Sequence, residues 1–454
     1  MTRPRFGARL WALALTSAAC SSDPVVSTDQ KPTAAEASEL TYHQDIAPLF
    51  ADHCMQCHRG GGIAPFRLDD YASAKQHARA IALATAERSM PPWSVTSDGS
   101  CGDFADSLAL GEEEIARIGA WVNAGTPEGE PAAIQVPDLP SLRDAVELST
   151  PDFLPVAQHD AYAEHDEYRC FELPLPTSLA SERFITGYEI LPGTPEIVHH
   201  VMMAIVDPDA PAHAEDAKRT NAEQVQLLDQ QSPDRDGWSC FGQVGDGVEV
   251  VALPVIWAPG QGVVRFPGQS GVALSPRHKL IVQVHYNLED HANEGKHDQT
   301  RIRLAFADHV ARRGQFVTAD ALLDTLFKGE PASLPPGRAS TTYAWSTMLR
   351  DTDLGAYPEL QLYGVMPHMH QLGHKLRMQI SDGAAPDRCA ADVQAWDFHW
   401  QRMFFYKDPI TVHPDTKLSV TCDFDTRPAQ APVLPGWGTS NEMCLVALYF
   451  TVPG

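Results

Sequence analysis

Apolar and polar positions fall into two regimes along this chain. Ile46, Leu49, Phe50 and Cys54 recur at helical spacing, which predicts an amphipathic helix with one buried face. A second helix is predicted to begin at Glu112, Glu113 and Glu114, whose charges suit a helix N-terminus. Ile115, Ile118 and Val122 would line its inner face, and Gly125 would stop it. From Tyr168 the period shortens to alternating strands separated by turns, at residues 184–191, 198–206, 263–266 and 280–285. The same pattern returns from Tyr343 to the end. Between the regimes, residues 131–155 are proline-rich and irregular and read as a linker.

Composition sharpens this picture. With 454 residues the chain has room for two to four domains, and a 43% hydrophobic content suffices for ordinary cores. The 31 glycines and 36 prolines favour short strands and turns. A net charge of −25 argues against nucleic acid and anionic lipid as partners, because phosphate surfaces need clustered Lys and Arg. Arg3, Arg5 and Arg9 precede an apolar run at 10–15 and then Ser17, Ala18, Ala19 and Cys20, so residues 1–20 read as an export signal. Cys20 after small residues resembles a bacterial lipoprotein cleavage site, with plain secretion as the alternative. Residues 21–40 read as a tether. No later apolar run is long enough to span a membrane. The address expected is therefore export to a bacterial periplasm or outer membrane, with membrane attachment through a lipidated Cys20.

Nine cysteines are present. Cys54-Met55-Gln56-Cys57-His58 is C-x-x-C-H, the attachment pattern of c-type haem, with His58 as the proximal iron ligand. Ser89-Met90-Pro91-Pro92-Trp93 resembles the methionine loop of class I cytochromes c. Met90 is thus the expected sixth ligand, with His43, His53 and His77 as rivals. The resemblance covers residues 41–131 and implies a small all-α cytochrome c domain passing single electrons. Setting aside Cys20, Cys54 and Cys57 leaves Cys101, Cys170, Cys240, Cys389, Cys422 and Cys444, an even set suited to disulfides in an exported chain.

Histidines carry the remaining chemistry. His199 and His200 are adjacent inside an apolar strand. Neighbouring strand residues face opposite ways, so both can reach one metal only if the strand bulges or ends there. His285 stands alone in another apolar strand. His368 and His370 are two apart, and on an extended strand both face one side, a grip suited to copper, zinc, iron or nickel. His374 and His399 are rival ligands.

The segments VHHVMM, QVHYN, PHMHQLG and NEMC, in that order, closely resemble the copper type II, ascorbate-dependent monooxygenases of the peptidylglycine α-hydroxylating and dopamine β-monooxygenase kind. The resemblance covers residues 165–454. It implies two all-β antiparallel, jelly-roll-like sandwiches, at 165–315 and 316–454, facing a solvent-filled cleft. One copper would be held by His199, His200 and His285, the other by His368, His370 and Met443. The second would activate O2 for hydroxylation of a C–H bond while the first stores an electron. A Cys422–Cys444 disulfide is implied as well. Polar anchors that amidating members use for a substrate carboxylate are replaced here by Met366, Leu445 and Ala447. A small, fairly apolar organic substrate is therefore expected, with O2 as co-substrate and an electron donor upstream of the haem. The alternative is a non-catalytic periplasmic copper and haem electron-transfer or copper-carrier protein.

Overall fold

The structure is a computed structural model. It describes residues 40–453 except 61, 63, 93–94, 98, 106, 139, 158–164, 177–178, 214–218, 242–243, 330 and 384–385. The export signal, Cys20, nearly all of the tether and Trp93 lie outside the described residues.

Three sheets dominate. A five-stranded sheet runs in the order Trp238–Ser239, Asp166–Leu173, Lys279–Asn287, Val198–Val206, Ala252–Trp257. A four-stranded sheet runs Thr341–Met348, Lys417–Phe424, Gly373–Ser381, Arg388–Val393. Between them lies a nine-stranded sheet whose strands come from both halves of the chain. Its seam is a short parallel pairing of Arg312 and Arg313 with Ser270 and Gly271. One core, around Tyr188, Val201, Val282 and Tyr286, fills the space against the five-stranded sheet. A second, around Leu362, Met378, Val420 and Phe450, fills the space against the four-stranded sheet. The inner strands Val198–Val206 and Lys279–Asn287 are buried on both faces and run apolar almost without alternation, whereas Thr341–Met348 and Lys417–Phe424 alternate.

The expectation of a small all-α cytochrome c domain followed by two separate sandwiches is corrected. The chain is mostly β-sheet and 17% helical, and no all-α cytochrome domain is shown. Helices Ala47–His53, Tyr71–Ala86 and Glu112–Asn123 do gather around Tyr42, Phe50 and Trp121. However, the stretch between the last two helices is woven into the C-terminal half. Val95 bridges Val393, Phe104 bridges Tyr406, and Cys101 is bonded to Cys389. The helical periodicity was visible locally, whereas these β contacts depend on partners near the other end of the chain. Val146–Ser149, within the expected linker, is a strand paired with Arg301–Ala307. The other disulfides are Cys170–Cys240 and Cys422–Cys444, the latter the pair that the family resemblance implied. These bonds mark an exported, oxidising setting. Among the described residues no helix is long and apolar enough to cross a membrane.

Candidate metal centre

His199 and His200 sit near the start of strand Val198–Val206, which pairs with Lys279–Asn287. The pairing passes from Val198↔Tyr286 to His200↔His285, so His199 is an extra residue in the ladder. A bulge of this kind turns two successive side chains toward one side. The two rings lie 4.1 Å apart between centroids, and ligand atoms of His199, His200 and His285 all lie within 4.8 Å of one another.

The nitrogens of this trio are arranged for a cation. His285 Nε2 lies 3.0 Å from Asp166 Oδ1. Donation there leaves Nδ1 with its lone pair, 3.2 Å from His200 Nδ1. Both ring nitrogens of His199 and Nε2 of His200 are buried without a hydrogen-bond partner. Burial, reinforced by the neighbouring imidazoles, pushes His199 and His200 well below the usual histidine range, so both rings are neutral. Neutral, partnerless imidazole nitrogens are costly in a protein interior and are what a transition metal takes as ligands. Asp166 is itself fully buried and accepts from the Thr439 amide (2.8 Å) and hydroxyl (3.0 Å). Burial raises its carboxyl, but His285 and Thr439 outweigh burial and hold it below the usual carboxylate range.

His368 ends strand Leu360–His368 and His370 lies just beyond it, with ring centroids 5.0 Å apart. His368 Nδ1 donates to Gln401 Oε1 at 2.6 Å, and His370 Nδ1 to the Asn441 carbonyl at 3.0 Å. Gln401 Nε2 donates to the Phe398 carbonyl, which fixes the amide orientation. Each ring is thus clamped through Nδ1, leaving Nε2 as a lone-pair donor, the usual arrangement behind a metal-ligating histidine. Burial pushes His368 down to about 4 and His370 to about 3. Beneath them the Glu442 carboxyl accepts the amides of His370 (2.9 Å) and Leu372 (2.6 Å), tying the H-x-H turn to the segment that bears Met443. Met443 is buried and faces the same cavity as both histidines.

The two ligand sets are not separated by an open cleft in this structure. The His200 and His368 rings are 5.1 Å apart between centroids, so five histidines form one cluster. A cavity of about 490 Å³ opens onto it. Met366, Leu445 and Ala447 line its wall, as do Tyr168, Trp437, Gln283, Asp320 and Glu249. The rival ligands stand elsewhere: His374 pairs with Asp423 and His399 with Asp397, each largely exposed.

The residues expected at a haem are also brought together. Cys54 and Cys57 are free of any disulfide. With His58 and Met90 they line a separate, mostly apolar cavity of about 260 Å³. His58 Nδ1 lies 3.1 Å from the Phe66 carbonyl, and donation there leaves the lone pair on the other ring nitrogen. His53 reaches that cavity too, but its ring nitrogens meet Leu108 O and Glu114. His77 is turned to the Ser73 carbonyl and stacked on Phe66, and His43 stands near Glu128.

Asp166, Gln401, Phe398, Asn441 and Glu442 escaped the sequence reading. Nothing in the local pattern marks a buried carboxylate or amide whose partner is distant. Asn441 and Glu442 stand inside the NEMC segment, whose methionine alone drew notice as a ligand, whereas Asp166, Phe398 and Gln401 lie far in sequence from that segment and from QVHYN.

Residues 319–452 match the family model described as copper type II ascorbate-dependent monooxygenase, C-terminal domain. The chain is 24% identical over 200 residues to tyramine beta-hydroxylase of Caenorhabditis briggsae, covering 43% of this chain and 33% of that protein. It is 22% identical over 325 residues to dopamine beta-hydroxylase of Homo sapiens, covering 70% and 48%. It is 25% identical over 194 residues to putative DBH-like monooxygenase protein 2 of Homo sapiens, covering 41% and 37%. The matches thus span about half or less of these relatives' length. These matches make the chain similar to the copper type II ascorbate-dependent monooxygenases, with the family model itself matching the C-terminal part that bears His368, His370 and Met443.

Proposed function

We propose that this protein is a copper-dependent monooxygenase that hydroxylates a C–H bond of a small, largely apolar organic substrate with O2, its electrons delivered from a covalently attached haem. One observation carries the reading: His199, His200 and His285 cluster with orphaned buried nitrogens on His199 and His200, and His200 adjoins His368 on a cavity that His370 and Met443 also line. Three imidazoles on one side suit both copper oxidation states, and two imidazoles with a thioether on the other favour Cu(I). Copper bound there supplies one-electron chemistry toward O2. The protein's own part is to hold the rings. Asp166 presents Nδ1 of His285, Gln401 and the Asn441 carbonyl present Nε2 of His368 and His370, and Glu442 keeps the Met443 segment in place. Met366, Leu445 and Ala447 offer a substrate carboxylate no partner, which favours an apolar group against that wall.

Free thiols at Cys54 and Cys57, the oriented His58 and the facing Met90 fit a c-type haem, which would supply single electrons. Carrying that donor on the same chain raises its effective concentration at the coppers and can take the place of soluble ascorbate. A periplasmic setting, with a donor upstream of the haem, follows from the same reading. Oxygen consumption by the copper- and haem-loaded chain against a panel of C–H substrates, with product mass, tests it. Substrate-dependent uptake yielding a product one oxygen heavier is expected. Copper bound without any such uptake favours a redox or copper-carrier protein instead.

A further inference from the structure

The segment 396–402, Trp-Asp-Phe-His-Trp-Gln-Arg, stands between the two candidate cofactor sites. Trp400 lines the cavity that also contains Cys54, Cys57, His58 and Met90. Cys57 and Trp400 both pack against the core of the C-terminal half. The very next residue, Gln401, accepts from His368 Nδ1 at 2.6 Å. Its amide nitrogen donates to the carbonyl of Phe398, whose ring stacks on His199 at 4.3 Å and 26°. The backbone here is fixed from the other half as well: Gln401 N donates to Pro259 O, and Met403 N to Gln261 Oε1 at 2.6 Å. This stretch therefore touches the C-x-x-C-H cavity through Trp400, and the two histidine sets through Phe398 and Gln401 on either side of it.

We infer that Trp400 and Gln401 form the electron conduit between the haem site and the copper cluster. The inference rests on the haem reading above. From the cavity wall to a copper ligand the route is the Trp400 indole, one peptide bond, the Gln401 side chain and a single short hydrogen bond to His368. One electron leaves a ferrous haem iron, which becomes ferric, and reduces one cupric ion to cuprous. No bond forms or breaks, and no proton needs to cross. The Cys101–Cys389 bond and the Val95 and Phe104 bridges hold the haem-bearing segment against this stretch, so the contact does not depend on diffusion.

The test is anaerobic rapid mixing of the full chain, haem reduced and copper oxidised, with haem oxidation followed optically. Haem content, copper content and haem potential are measured for each variant. Trp400→Leu is expected to slow haem oxidation about tenfold or more, ~1.4 kcal/mol in barrier, while Trp400→Phe, which keeps a ring, stays within a few-fold of wild type. Should Trp400→Leu fail to fold, Gln401→Met, which removes the carbonyl that meets His368, is expected to slow the same step. Wild-type rates in a folded, haem- and copper-loaded Trp400→Leu or Gln401→Met would overturn the conduit while leaving the haem reading intact. A wild-type chain matured by a haem-attachment apparatus that carries no covalent haem would overturn both.

Discussion

Asp166→Asn isolates what the protein does for its candidate copper ligands. The wild-type carboxylate is fully buried and takes three hydrogen bonds, from His285 Nε2 at 3.0 Å and from the Thr439 amide and hydroxyl at 2.8 and 3.0 Å. An amide keeps the shape but removes the negative charge. It also offers an N–H where only acceptors fit. His285 then loses the partner that holds its Nδ1 toward His200. Removing such an outer partner commonly costs about 10–100-fold in metal affinity, or ~1.4–2.7 kcal/mol. We expect a loss of this size at the His199/His200/His285 site and little change at His368/His370/Met443, whose clamps are Gln401 and the Asn441 carbonyl. Competition titration against a chromophoric Cu(I) chelator resolves the two affinities. Urea denaturation of the metal-free variant checks folding, with ~1.5–3 kcal/mol at stake per hydrogen bond to the buried charge. A folded Asp166→Asn that binds both coppers as tightly as wild type would refute the role given to this carboxylate.

Met90→Ala should leave the haem attached, since attachment needs only Cys54, Cys57 and His58, and should lower its reduction potential because a thioether stabilises Fe(II); redox titration with visible spectra checks this, and an unchanged potential would point to another sixth ligand. Cys101→Ser/Cys389→Ser should cost ~2–5 kcal/mol in urea denaturation and free the helical segment for earlier proteolysis; a variant as stable and as resistant as wild type would contradict the pinning of that segment. Acid should weaken the metal-free chain through its neutral histidines. His368 is depressed from 6.5 to about 4 by burial, so the unfolded chain takes up a proton that the folded one refuses. Its contribution is present above about 6.5 and is lost as pH falls through about 4, amounting to ~2 kcal/mol at pH 5. Wild type should therefore lose that much more stability than His368→Leu between pH 7 and pH 5, and equal losses would show that this ring is not held neutral.

Much of the candidate site was legible because its chemistry is written in adjacent residues. The adjacent pair His199-His200 in an apolar strand could serve one metal only if the strand bulged or ended there, and the ladder shifts at that point. His368 and His370 were legible as a same-side pair, although only the first lies within the strand. What stayed hidden depends on long-range partners. Asp166 meets His285 and Thr439 across sequence separations of 119 and 273 residues, and no local period encodes such contacts. Helix Tyr71–Ala86 was missed because its inner face is largely alanine, Ala74 and Ala78 beside Ile81, which a search for large apolar residues passes over. Its Asp70 cap, accepting from the Ser73 amide, was the available signal. The all-α first domain was an overreach of the same kind. Helix spacing is sound at both ends, but Val95 and Phe104 bridge to Val393 and Tyr406, which lie in two different sheets built from residues far later in the chain.

The central claim is that the five clustered histidines and Met443 make one two-copper centre assembled from both halves of the chain. Copper analysis of the purified, copper-loaded protein tests it most directly, with His285→Ala and Met443→Ala measured alongside after their folding is verified. The account predicts two coppers per wild-type chain and a single copper retained in each variant, lost from the first ligand set in one and from the second in the other. A folded wild-type chain that takes up no copper, or two variants that both keep the full wild-type complement, would contradict it.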